Sequence, residues 1–192
     1  MNLPNKLTVM RIALVPFFVA AMLIPFPLHW LVALALFGAA SLTDLFDGKI
    51  ARKRGLITDF GKFADPLADK ILVISALLCL VQLGLCDCVA VIIVLFREFT
   101  VTSIRLVAAA KGKVVAANIW GKVKTVTQMT ALICIFVMQL TLSLREFGVP
   151  LPAVLDGVFF IIGEVLIWIS ACFAVLSGVI YVAQNKHFIS DF

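Results

Sequence analysis

Apolar runs of about twenty residues follow one another along this chain with short gaps between them: 8–26, 29–48, 65–85, 88–109, 121–143 and 157–183. A helix needs about 20 mainly apolar residues to cross the hydrocarbon core of a bilayer. With 63% hydrophobic and only 14% charged residues among 192, against about 25% charged in a soluble domain, the chain is expected to be an integral membrane protein. Six such spans with short links use nearly the whole length. The expectation is therefore an all-α, polytopic fold of about six transmembrane helices in one membrane domain, residues 1–192. The segment NLPNKLT, mixing polar and apolar residues before the first run, suits a short interfacial helix. The first run has no small-residue cleavage site followed by a soluble mature chain, so a removable signal peptide is not expected.

Orientation follows from the cations. Lys6, Arg11, Lys49, Arg52, Lys53, Arg54, Lys62, Lys70, Lys111, Lys113, Lys122, Lys124 and Lys186 fall on or beside the face that holds the N-terminus, with Arg145 on the other. By the positive-inside rule both termini face the cytoplasm, which requires an even number of spans. Trp30 and Trp120 fall at expected interfaces, where indoles commonly anchor. His29 and His187 read as surface residues. The cysteines Cys79, Cys86, Cys88, Cys134 and Cys172 are scattered and odd in number, and read as packing residues, the Cys86/Cys88 pair included.

Within this oily background the segment DLFDGKIARKRGLITDFGKFADPLAD is anomalous. Asp44 and Asp47 are three residues apart and Asp65 and Asp69 four apart, so on helices each pair projects from one face. Four carboxylates at the centre of a bilayer would cost roughly 10 to 14 kcal/mol on insertion scales. Clustered this closely they repel one another unless a cation lies between them, and oxygen donors suit Mg²⁺ or Mn²⁺. A metal site at the cytoplasmic membrane surface is the reading. Gly48 and Ala51 leave room for a close approach, and Arg52, one turn beyond Gly48, can meet phosphate oxygens bidentately. Pairing of the aspartates with neighbouring cations alone would explain their charge but not their spacing.

The full pattern DxxDGxxARx8GxxxDxxxD, closed by Gly61, resembles without a mismatch the signature of the CDP-alcohol phosphotransferases. Eight fixed positions would coincide by chance on the order of once in a billion starting points. The resemblance implies a six-span fold, usually a homodimer, that displaces CMP from a CDP-linked lipid at a divalent-metal site open to the cytoplasm. It implies Asp44, Asp47, Asp65 and Asp69 as metal ligands, Asp69 as the base for the acceptor hydroxyl, and Gly48, Ala51, Arg52 and Gly61 around the CDP moiety. Asn5, Thr8 and Arg11 are expected at the same mouth, against the nucleotide or its diphosphate, or as capping and headgroup contacts.

Two polar islands interrupt later runs: REFTVTSIRL, with Arg97, Glu98 and Arg105, and WGKVKTVTQM, with Lys122 and Lys124. Arg97 and Arg105, eight residues apart, share a helix face. Glu98 offsets one arginine as an ion pair, leaving Arg105 and Lys122 in need of an anion. A phosphorylated acceptor such as glycerol 3-phosphate supplies it. NLPNKLTVMRIALVP, the REF segment and GKVKT are similar to the branch of the family that transfers a phosphatidyl group from CDP-diacylglycerol to glycerol 3-phosphate. Arg105 and Lys122 are then the acceptor-phosphate ligands, with Arg97 and Lys124 in support. Phosphatidylglycerol, serine or inositol phosphate as acceptor is the alternative. No nucleic-acid partner is expected. A divalent-cation transporter fits poorly, because the far halves of the spans carry almost no polar residue to complete a route. Glu164, inside the sixth run, is a functional or packing candidate.

Overall fold

The computed structural model describes residues 3–54, 59–111 and 118–185. Side chains at 3–7, 44–54, 59–66, 69 and 110 lie outside the described set. Six α-helices follow in order: α1 Leu3–Leu23, α2 His29–Arg54, α3 Asp59–Gln82, α4 Cys88–Ala110, α5 Ile119–Ser143 and α6 Val154–Gln184, with a 3-10 turn at Leu144–Phe147. Among the described residues there is no strand. Each expected apolar run falls on one helix. Two stretches, 119–147 and 154–184, are long and apolar enough to cross a membrane, and 8–23, 29–43 and 70–82 are shorter apolar stretches.

The differences lie at the polar ends. The helix of α2 continues to Arg54 and α3 begins at Asp59, six residues beyond each apolar run, because Ala, Lys, Arg and Leu sustain a helix after hydropathy has fallen. Likewise NLPNKLT forms no helix of its own, since from Leu3 onward it is the opening of α1.

By packing, the residues fall into two compact units, Met1–Leu83 with Ile135–Leu155, and Gly84–Cys134 with Asp156–Phe192. In the first, α1 packs on both α2 and α3. Its centre is an aromatic cluster in which Phe18, Phe37 and Phe136 lie with ring centroids 5.3–6.0 Å apart. Trp30 is a correction to expectation: it is only 7% exposed and stands 6.3 Å from the Phe136 ring, a core residue rather than a headgroup anchor. His29 is also more than a surface residue. Its Nδ1 lies 3.1 Å from the Ala21 carbonyl, reaching a carbonyl of the last turn of α1, where helix acceptors lack intrahelical partners. Pro25 and Pro27 follow the end of α1, and Leu28 (φ 62°) turns the chain back into α2.

In the second unit, α4 opens on Asp87, whose side chain accepts from the Val89 N–H at 2.8 Å. Asn118 does the same for α5, accepting from Trp120 N–H at 2.6 Å. Glu164 of α6 takes a hydrogen bond from the Asp87 backbone, so it serves the α3–α4 turn. Val101, Ile104 and Tyr181 form a buried cluster with Val182 packed against it.

Candidate active site

The motif sits on helical backbone throughout its described part: Asp44, Asp47, Gly48, Ala51 and Arg52 on α2, and Gly61, Asp65 and Asp69 on α3. Their side chains lie outside the described residues, as does that of Asn5. What the helices do fix is register. On α2 the buried positions are Trp30, Ala33, Phe37 and Ala40, steps of three and four residues that mark one inward stripe. The same steps continue to positions 44, 47 and 51. On α3, Leu72, Ala76 and Cys79 are buried, and stepping back from Leu72 by three and four reaches positions 69 and 65. On α1, Thr8, Arg11, Val15, Phe18 and Met22 form the corresponding buried stripe.

Only five residues separate α1 from α2 and four separate α2 from α3, so the three helices alternate in direction. The start of α1, the end of α2 and the start of α3 therefore share one end of the unit. Thr8 and Arg11, on α1, lie at that end, and Arg11 is only 2% exposed. An arginine that buried is held by hydrogen bonds or charge, and both Arg11 and Thr8 make polar or electrostatic interactions there. The four aspartate positions thus fall in register with the buried residues of α2 and α3. Four carboxylates are a hard oxygen donor set that fits Mg²⁺ or Mn²⁺.

The basic residues of the second unit divide into two kinds. Arg97 Nη1 donates to Glu98 Oε1 at 2.7 Å, and Lys124 Nζ donates to the same oxygen at 2.6 Å. Arg97 Nε donates to Ser177 Oγ at 3.0 Å. Lys124 is 4% exposed. One carboxylate thus meets both cations, where the sequence reading assigned it a single arginine. Arg105 and Lys122 are exposed, and among the described residues neither has a carboxylate partner. Arg105 is held by Tyr181 in two ways: its Nε donates to the hydroxyl at 3.2 Å and its guanidinium lies 5.5 Å from the ring centroid. Arg105 precedes the α4–α5 connection and Lys122 follows it, so two exposed cations flank one link.

Ser177 and Tyr181 were missed by sequence reasoning. A signal existed for Tyr181, the chain's one tyrosine, because a phenol in an apolar helix needs a partner for its hydroxyl. Among the described residues no group of three or more His, Cys, Asp or Glu side chains could hold an ion, and all five cysteines are free.

The family model for CDP-alcohol phosphatidyltransferases matches residues 1–176. The chain belongs to the CDP-alcohol phosphatidyltransferase family. It is 42% identical over 196 aligned positions, 96% of this chain and 95% of the relative, to the CDP-diacylglycerol--glycerol-3-phosphate 3-phosphatidyltransferase of Bacillus subtilis. A relative of the same name from Rickettsia bellii is 36% identical over 97% of each chain. A third, from Haemophilus influenzae, is 38% identical over 68% of this chain and 73% of its own. The match of the CDP-alcohol phosphatidyltransferase model runs through all the motif positions and both polar islands, and ends within α6.

Proposed function

We propose that this CDP-alcohol phosphatidyltransferase moves the phosphatidyl group of CDP-diacylglycerol to a free hydroxyl of sn-glycerol 3-phosphate, giving phosphatidylglycerophosphate and CMP. What carries the reading is the nearly end-to-end likeness to relatives that bear this activity in their names. The hydroxyl oxygen bonds to the phosphatidyl phosphorus, the bond from that phosphorus to the bridging oxygen of the diphosphate breaks, and CMP leaves with the electron pair. Asp69 takes the hydroxyl proton as general base. Gly48, Ala51, Arg52 and Gly61, with Asn5 and Thr8, hold the CDP moiety. Asp44, Asp47, Asp65 and Asp69 would hold divalent Mg²⁺ or Mn²⁺, which when bound supplies positive charge to the diphosphate and the leaving CMP. Arg105 and Lys122 hold the acceptor phosphate, with Arg97 and Lys124 in support.

In this proposal the chain is one membrane domain of six spans, with the opening turns of α1 in the interface. It works as a homodimer in the cytoplasmic membrane, with both termini and the aspartate motif on the cytoplasmic side, as the cation asymmetry requires. The test is CMP release from CDP-diacylglycerol by detergent-purified protein with Mg²⁺ or Mn²⁺, with and without glycerol 3-phosphate, and with EDTA as control. Metal-dependent release that requires glycerol 3-phosphate is the expected result. Release that requires serine, inositol phosphate or phosphatidylglycerol instead would keep the chemistry and overturn the acceptor.

A further inference from the structure

The shared carboxylate of the second unit has a geometry that a simple phosphate-binding cluster does not need. Glu98 on α4 takes two charge-assisted hydrogen bonds on one oxygen, 2.7 Å from Arg97 on its own helix and 2.6 Å from Lys124 on α5. Arg97 in turn donates to Ser177 on α6 at 3.0 Å, and Ser177 Oγ donates to the Ala174 carbonyl at 3.1 Å. Two glycines seat the arginine. A Cβ added at Gly121 of α5 would stand 3.3 Å from Arg97 Nη2, and one at Gly178 of α6 would stand 3.0 Å from Arg97 Cγ. Three helices therefore meet at one side-chain knot, in which both cations face a carboxylate and are mostly enclosed. A cation so held is a poor ligand for an incoming anion, because the anion must displace a carboxylate already at hydrogen-bond distance and itself be desolvated.

The knot is nevertheless close in sequence to the two exposed cations. Arg105 lies eight residues beyond Arg97 on α4, and Lys122 lies between Gly121 and Lys124 on α5. Fixing α4 against α5 at Glu98–Lys124 fixes the register of Arg105 and Lys122. We propose that Glu98 is a positioning residue for acceptor binding: through Arg97 and Lys124 it locks α4, α5 and α6 together, so that Arg105 and Lys122 meet the acceptor phosphate while Arg97 and Lys124 do not touch it. The inference rests on the acceptor assigned above.

The experiment compares Glu98→Gln, Glu98→Asp and Gly178→Ala in purified protein, reading KM for glycerol 3-phosphate, KM for CDP-diacylglycerol, kcat and Tm. Glu98→Gln leaves two enclosed cations without their carboxylate, and should raise KM for glycerol 3-phosphate about tenfold or more through misplacement of the phosphate ligands. KM for CDP-diacylglycerol should stay within about twofold. Glu98→Asp keeps the charge and should recover much of the loss. Gly178→Ala removes no charge but presses on Arg97 Cγ, which must give by a few tenths of an ångström, and should move KM for glycerol 3-phosphate in the same direction by a smaller factor, so the outcome does not hang on Glu98→Gln folding. A Glu98→Gln protein that melts early yet keeps its KM for glycerol 3-phosphate, or one in which both KM values rise alike, overturns the positioning role. Wild-type protein without turnover on glycerol 3-phosphate would overturn the assigned acceptor instead. The lock itself is then judged on Tm, which Glu98→Gln should lower and Glu98→Asp largely restore, and an unchanged Tm overturns it.

Discussion

At the scale of single residues, the chemistry assigned to Asp69 is the most exposed to test. Asp69→Asn removes a base and weakens one oxygen donor among four, so CDP-lipid binding should largely survive while kcat falls by roughly a hundred- to ten-thousand-fold. Retention of near wild-type kcat in a CMP-release assay would remove it as the base. A second prediction concerns Cys86. Burial, with Glu164, Asp87 and Cys88 adding to it, pushes its thiol up to about 12, so the folded protein holds the neutral thiol at any ordinary pH. The thiolate is the reactive form. Alkylation of Cys86 should therefore be negligible near pH 8 and climb about tenfold per pH unit until about 12, whereas exposed Cys88 should label readily. Mass spectrometry of protein treated with iodoacetamide across that range reads both sites, and equal labelling at pH 8 would contradict the assigned burial. The aspartates stand out in the sequence because their pattern is local: charge at fixed helical spacing inside an apolar run. The sharing of Glu98 was only half legible. Arg97 is its neighbour in sequence, but Lys124 is 26 residues away on another helix, and no spacing rule connects them.

At the scale of elements, hydropathy located the helices but not their ends. Apolar runs report where hydropathy is high, whereas helix ends depend on caps and propensity, which is why Ala51, Arg52 and Gly61 of the motif lie on helix beyond the runs. Trp30 shows the complementary failure. An indole near a span end is an ordinary interface anchor, and only the packing of α2 against Phe136 shows that this one faces inward. The cap of α4 offers a clean measurement. Asp87 accepts from Val89 N–H at 2.8 Å, and Asp87→Ala should cost about 1 kcal/mol. The expected signature is a lowered Tm with KM and kcat unchanged, since the turn that it closes carries none of the residues assigned to substrate. A change in KM for either substrate would give that turn a role beyond folding.

At the scale of the whole molecule, the distribution of charge makes the strongest demand. Thirteen of sixteen cations were assigned to one face by counting along the sequence, and Arg145, the one assigned to the other face, donates to the Pro152 carbonyl at 2.8 Å. That bond ties the 3-10 turn to the loop before α6, where Gly148 closes the turn with φ 82°, and such a role needs a donor there whatever the membrane orientation. The segment 148–152 is thus expected outside, and both termini inside, by a rule that counts Lys and Arg near span ends. A reporter enzyme that is active only after export should be silent when fused after residue 185 and active when inserted between Gly148 and Pro152. Cysteines placed singly in the two regions, reacted with a membrane-impermeant maleimide on intact cells, should divide the same way. Activity at the C-terminal fusion together with silence at 148–152 would invert the orientation and put the aspartate motif on the wrong side for a cytoplasmic phosphorylated acceptor. Activity at both would mean an even number of crossings between them. The first result would overturn the orientation and the second the six-span reading even if the enzyme assay succeeded, because the chemistry depends on the aspartate motif and the topology on the charges around it.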